Sequence, residues 1–148
     1  MKVKDIMTAD PACAVPETPL AEIGQMMIDF DCGEIPIVDD EETMRPVGVI
    51  TDRDIVVRTV GRGIDPMDLE VGEIMSTPVV TIDCDASFEE CCRLMEEKQI
   101  RRIPVTGSRG EICGIVALAD IARFADKTNT GEIVQEVSVE IGAPSNVV

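Results

Sequence analysis

Apolar residues along this chain come in short bursts whose spacing predicts its secondary structure. Val47–Ile50 reads as a short buried strand, and Ile55, Val56, Val57 and Val60 as the apolar positions of a helix over Asp52–Val60. Upstream, Leu20, Ile23, Met27 and Phe30 mark one stripe at helical spacing, in a helix beginning near Pro19. Ile35–Val38 predicts a strand, and Ala12–Val15 a briefer one. The second half repeats the scheme. A brief strand, Val79–Ile82, precedes a helix that begins near Ser87 and carries Phe88, Cys91 and Met95 on one stripe. Strands Arg102–Val105 and Ile112–Val116 follow, then a closing helix, Leu118–Ala125. Each half opens with a short turn or helix and reads β-α-β-β-α, an α/β unit with a small three-stranded sheet.

Sliding the chain against itself shows that the halves are copies. Val3-Lys4-Asp5-Ile6-Met7-Thr8 returns 68 residues later as Val71-Gly72-Glu73-Ile74-Met75-Ser76. Ile35-Pro36-Ile37-Val38 returns as Ile103-Pro104-Val105, and Gly48-Val49-Ile50 as Gly114-Ile115-Val116, the last at an offset of 66. The slips fall where loops are expected. The repeats are residues 1–60 and 71–125, with a linker over 61–70 containing Gly61, Gly63 and Pro66. A sheet this small cannot bury both faces alone, so the repeats are expected to pack on each other as a pseudo-two-fold pair. Apolar stripes left on outward helix faces predict a homodimer. The tail, 126–148, alternates in Ile133, Val134, Val137, Val139 and Ile141, a pattern open to a swapped strand, an edge strand or a loose end.

Charge narrows the partners. With 29 acidic and 13 basic residues the net charge is −16, which argues against nucleic acid and against anionic membrane surfaces. No apolar run approaches the ~20 residues of a spanning helix. Met1-Lys2-Val3-Lys4-Asp5 leads into no extended apolar stretch, so no signal peptide is evident and a cytoplasmic location is expected. The six cysteines include no C-x-x-C pair, and the chain has no histidine. They are expected to be reduced and to act as small core hydrophobes, with no metal site. The missing histidine also removes the commonest general base. The acidic run Asp39-Asp40-Glu41-Glu42 reads as a solvated hairpin tip rather than a cation cage.

One stretch carries candidate chemistry, Gly48-Val49-Ile50-Thr51-Asp52-Arg53-Asp54. Thr51 stands at the N-cap of a helix and Asp54 three residues on. These two residues form a capping box in one reading. In the other they hold a sugar phosphate, the hydroxyl near phosphate and the carboxylate on ribose hydroxyls.

Taken together, the two Ile-Met-(Thr/Ser) openings, the two Ile-Pro-(Ile/Val) strands and Gly-x-x-Thr-x-x-Asp at Gly48 to Asp54 resemble a CBS-domain pair, or Bateman module, over residues 3 to 125. The resemblance implies a regulatory module that binds adenosine nucleotides or related adenosyl ligands between its repeats, requires no cofactor and catalyses nothing. It implies crosswise sites. One takes Thr51, Asp54 and Arg53 from the first repeat with Val80, Thr81 and Ile82 and Ile100, Arg101, Arg102, Ile103 and Pro104 from the second. Its two guanidiniums suit phosphate. The other site would take Asp120 with Cys13, Val15, Gly33 and Glu34, but Ala117 stands in place of the threonine and Glu34 would repel phosphate. That cleft is expected to be vacant or to take an uncharged adenosyl group. The leading function is therefore a stand-alone sensor of AMP, ADP or ATP that signals energy state to a protein partner or through its own dimer. The alternatives are a ligand-free dimerisation module or a binder of S-adenosylmethionine. An enzyme of the inosine monophosphate dehydrogenase kind would need a barrel of roughly 250 residues, for which the repeats leave no room.

Overall fold

Gly48 and Gly114 each lie under a methionine. A Cβ built on Gly48 would stand 2.7 Å from Met75 Sδ and 3.0 Å from the Ser76 carbonyl. One built on Gly114 would overlap Met7 Sδ and stand 2.9 Å from the Thr8 carbonyl. The opening of each repeat is thus seated on a glycine strand of the other repeat, and only a residue without Cβ allows backbone to approach so closely. The computed structural model describes residues 1–124. The tail over 126–148, and Ala125 at the end of the expected closing helix, lie outside the described residues.

The described chain runs from a 3-10 turn, Val3–Asp5, to β1 (Thr8–Ala9), α1 (Leu20–Asp29), β2 (Glu34–Val38), β3 (Pro46–Thr51) and α2 (Asp52–Arg58). After further 3-10 turns, the last at Val71–Glu73, come β4 (Ile82–Asp83), α3 (Phe88–Lys98), β5 (Arg102–Thr106), β6 (Ile112–Ala117) and α4 (Leu118–Phe124). Two compact bodies result. A first-repeat body comprises Asp10–Val80 with Ser108–Ile112; a second-repeat body comprises, of the described residues, Met1–Ala9, Thr81–Gly107 and 113–124. Each has its own core. Leu20, Ile23, Ile35, Ile37 and Ile50 close around Val71 in the first-repeat body, while Cys91, Met95, Ile103, Val105, Val116 and Ile121 close around Val3 and Ile6 in the second-repeat body.

The α/β tandem architecture is as expected, but the sheets differ in strand count. In the second-repeat body the order is β1-β6-β5-β4, so the expected three strands gain a fourth from Thr8–Ala9, antiparallel to β6. In the first-repeat body only β2 and β3 pair as strands. The expected strand Ala12–Val15 contracts to one parallel bridge, Ala14 with Ile37, held by Ala14 N–H to Pro36 O (3.1 Å) and Val38 N–H to Ala14 O (2.8 Å). Pro11 and Pro16 flank it and cannot donate to a ladder. Its counterpart, expected over Val79–Ile82, begins only at Ile82. Phe30, expected on the buried stripe of α1, lies just past the helix end and is 61% exposed.

The glycine seats give a stability test. Gly48→Ala and Gly114→Ala are each expected to destabilise by ~1–3 kcal/mol through overpacking. Gly24, inside α1 with nothing within 4 Å of a built Cβ, is the control, and Gly24→Ala should stabilise by ~0.5–1 kcal/mol. Urea unfolding of the three variants checks this, and three curves that superimpose would contradict it.

Candidate functional site

Thr51 ends β3 with extended backbone (φ −113°, ψ 162°) and caps α2. Its Oγ1 accepts the Asp54 N–H at 3.0 Å, and its own N–H donates to Asp54 Oδ2 at 3.1 Å. The capping box is real, and it leaves the Thr51 hydroxyl proton available to a further acceptor. The second carboxylate oxygen of Asp54, Oδ1, lies 3.5 Å from Arg58 Nη2. The Nη1 of the same guanidinium donates to the Ile74 carbonyl at 2.6 Å. Arg58 was not among the residues nominated from sequence, although its i,i+4 spacing from Asp54 on a helix was a usable signal. Arg53 is exposed, its N–H donating to Asp52 Oδ1 at 2.8 Å.

The same body holds four residues nominated for the other cleft. Register places Glu34 directly across from Thr51, and the Gly33 carbonyl accepts the Asp52 N–H at 3.0 Å. Cys13 Sγ donates to Pro11 O at 3.3 Å, and Val15 N–H to Thr18 Oγ1 at 3.2 Å. Val80 belongs to this body too, outside any strand.

In the second-repeat body Asp120 Oδ2 accepts the Ala117 N–H at 2.8 Å, half of a capping box with no hydroxyl to complete it. Asp120 is buried, and Arg123 Nη2 lies 3.9 Å from its Oδ1. The Arg101 carbonyl accepts the Leu118 N–H at 2.8 Å, so Arg101 and Arg102, both exposed, begin beside the start of α4. Ile103 and Pro104 are buried, Ile82 is buried beside half-buried Thr81, and Ile100 packs on the core. Side chains so enclosed leave mainly their backbone for a ligand.

A cleft of about 560 Å³ that no sequence signal marked lies at the hairpin tips of the first-repeat body. Arg45 and Arg109 line it, and the Ile112 N–H donates to the Met44 carbonyl at 2.8 Å across it. The neighbouring acidic tip is self-satisfied. A hydrogen bond from the Thr43 hydroxyl chiefly lowers the Asp39 pKa, and the Thr43 and Glu42 N–H groups lower that of Asp40. Their carboxylates therefore order the turn.

The geometry describes a duplicated α/β chain with a threonine–aspartate pair at the start of α2. The CBS domain family model matches residues 3–60 and 71–127, and the chain belongs to that family. It is 38% identical over 120 residues to hypoxic response protein 1 of Mycobacterium tuberculosis, covering 81% of this chain and 82% of that protein. The crystal structure of hypoxic response protein I with two coordinated zinc ions superposes with a TM-score of 0.76 at 37% identity, over 84% of this chain and 99% of that one. The CBS domain pair of protein MJ0100, in complex with 5-methylthioadenosine and S-adenosyl-L-methionine, gives a TM-score of 0.71 at 28% identity, over 83% and 94% of the two chains. Inosine-5'-monophosphate dehydrogenase of Mycobacterium leprae matches at 26% identity, and only over 25% of that enzyme. Among the described residues no helix is long and apolar enough to cross a membrane.

Asp83, Cys84 and Asp85 have ligand atoms within 4.8 Å of one another, the one such group among the described residues. It fits zinc poorly. Both carboxylates are exposed, and Asp85 already pairs with Lys4 at 2.8 Å and Lys2 at 3.3 Å, hydrogen bonds that lower its pKa. Among the described residues no disulfide joins the six cysteines, and Cys91 and Cys92 are both buried in α3. Burial pushes Cys91 up to about 12 and Cys92 and Cys13 up to about 11, so these groups stay protonated at neutral pH.

The sign of the linkage follows from those raised values. A thiol held neutral in the fold but ionising near ~8.5 when unfolded stabilises fully below that pH. Stability should therefore fall as pH rises from ~9 toward 12, and Cys91→Ala should flatten that fall. Urea midpoints across this range check it; a wild-type midpoint that holds level to pH 11 would contradict it.

Proposed function

We propose that this protein is a non-catalytic regulatory module that binds an adenosine nucleotide of the AMP, ADP or ATP type between its repeats. It transmits that state to a partner or through its own dimer. The observation that carries the reading is the Thr51–Asp54 pair in a chain matched to the CBS family in both halves. The hydroxyl has a proton to donate to phosphate, and an ionised carboxylate accepts ribose hydroxyls on lone pairs left after the Thr51 N–H. Arg101 and Arg102 supply charge-assisted hydrogen bonds to phosphate in the crosswise arrangement that the family resemblance implies. Asp120, buried and without a neighbouring hydroxyl, is the weaker ligand, so the two clefts are unequal. Cysteines with no C-x-x-C spacing and no disulfide among the described residues fit a reducing, cytoplasmic setting.

A second reading has a specific support. MJ0100's pair holds methylthioadenosine and S-adenosylmethionine, and a chain of net charge −16 disfavours a polyanion. An uncharged or cationic adenosyl ligand is therefore the alternative.

Calorimetric titration with AMP, ADP, ATP, methylthioadenosine and S-adenosylmethionine separates the readings. The expected result is one phosphorylated ligand per chain. Asp54→Ala should lower affinity at least ~10-fold and Asp120→Ala barely change it. Thr51→Ala should weaken binding and remove ~1 kcal/mol of stability as a lost cap. Two equal sites, or matching losses from the two aspartates, would contradict this assignment.

The dimer is proposed on the first-repeat body. Seven of the nine exposed large hydrophobics among the described residues are there, among them Val56 (57%), Val60 (63%) and Met67 (68%). Val60→Asp should shift sedimentation from dimer toward monomer without lowering adenosine affinity more than the dimer equilibrium requires. A wild-type chain that sediments as a monomer up to millimolar concentration would exclude this interface.

A further inference from the structure

Arg58 faces two partners, Asp54 four residues before it and Ile74 sixteen residues after it, in different segments of the first-repeat body. Its Nη2 stands 3.5 Å from Asp54 Oδ1 and its Nη1 donates to the Ile74 carbonyl at 2.6 Å. A planar guanidinium engaged at both terminal nitrogens has little freedom left, a geometry that an ammonium on a flexible stem does not reproduce. The Arg58 side chain is 33% exposed and that of Asp54 20%, so the pair is partly withdrawn from solvent screening.

Asp54 is therefore oriented at both oxygens, by the Thr51 N–H on Oδ2 and by Arg58 on Oδ1. Ile74 follows the turn Val71–Glu73, and the next residues are fixed to β3. Met75 rests on Gly48, while Ser76 and Val49 exchange hydrogen bonds of 2.8 and 3.1 Å. The chain then continues to Val80. The second repeat lacks this device. Four residues after Asp120 stands Phe124, and Arg123, 67% exposed, lies 3.9 Å from the carboxylate.

We propose that Arg58 is a positioning residue that holds Asp54 for the ligand's hydroxyl groups and couples that carboxylate to the segment Ile74–Val80. Ligand on Asp54 then changes the restraint on the chain that opens the second repeat. The inference rests on the reading of Thr51 and Asp54 as ligand-binding residues. An ordinary helical ion pair would stabilise α2 alone; the bond to Ile74 is what extends its reach beyond the helix.

The test uses the full chain and titrates AMP, ATP and S-adenosylmethionine into wild type, Arg58→Ala, Arg58→Lys, Asp54→Ala and the Asp54→Ala/Arg58→Ala pair. Hydrogen exchange of 74–80 is followed with and without ligand, and melting temperature serves as the folding control. Arg58→Ala should weaken affinity about five- to tenfold, and the double variant should bind no more weakly than Asp54→Ala. Arg58→Lys should recover most of the affinity but not the ligand-dependent change in exchange over 74–80. Wild-type affinity in Arg58→Ala, or losses that simply add in the double variant, would overturn the role of Arg58 and leave the ligand reading standing. A wild-type chain that binds none of the three ligands would overturn both.

Discussion

Everything else in the described chain depends on one close approach, the seating of a Met-Ser or Met-Thr segment on a strand glycine. Because Met7 lies on Gly114 and Met75 on Gly48, the opening of each repeat belongs to the compact body of the other. Val3 and Ile6 fill one core and Val71 the other in the same way. A β-α-β-β-α unit of this length has too little apolar surface to close a core by itself. Exchanging the openings gives each sheet an added edge pairing and each core its missing residues. The repeated Gly and the repeated Met are the two sides of this contact, which explains why both recur in the duplicated sequence.

Within that shared frame the repeats have diverged in polar groups. Thr51 completes a capping box that Ala117 cannot, and Arg58 ties Asp54 to the Ile74 carbonyl where the second repeat has Phe124. The exposed apolar residues also divide unequally, concentrated on the helices and turns of the first-repeat body. A duplication that keeps its backbone contacts and varies its polar positions retains one fold while the starts of α2 and α4 differ in the polar groups they present. Under the proposed nucleotide-binding function the excess negative charge sharpens that difference, since an anion gains only where fixed donors outweigh the surrounding carboxylates.

The periodic elements were legible in the sequence because their determinants are local. Apolar spacing marks α1 and α3, turn residues bound β2, β3, β5 and β6, and the Thr51–Asp54 spacing foretells the cap of α2. The internal repeat, and with it the tandem architecture, needs only comparison of the chain with itself. The brief first strands were less legible. Ala12–Val15 has strand-like residues, but flanking prolines leave it a single bridge, and Val79–Ile82 pairs only at its end. Phe30 fits the helical stripe, yet the helix ends before it and the ring stays exposed.

What the sequence determined by itself, then, is the order and type of elements, the duplication, and which aspartate has a hydroxyl beside it. Tertiary structure decided which body each opening segment joins, because a Met-over-Gly contact between residues tens of positions apart leaves no local period. It also decided the partners of Arg58, whose second bond reaches a backbone carbonyl, a group every residue carries and no sequence pattern distinguishes.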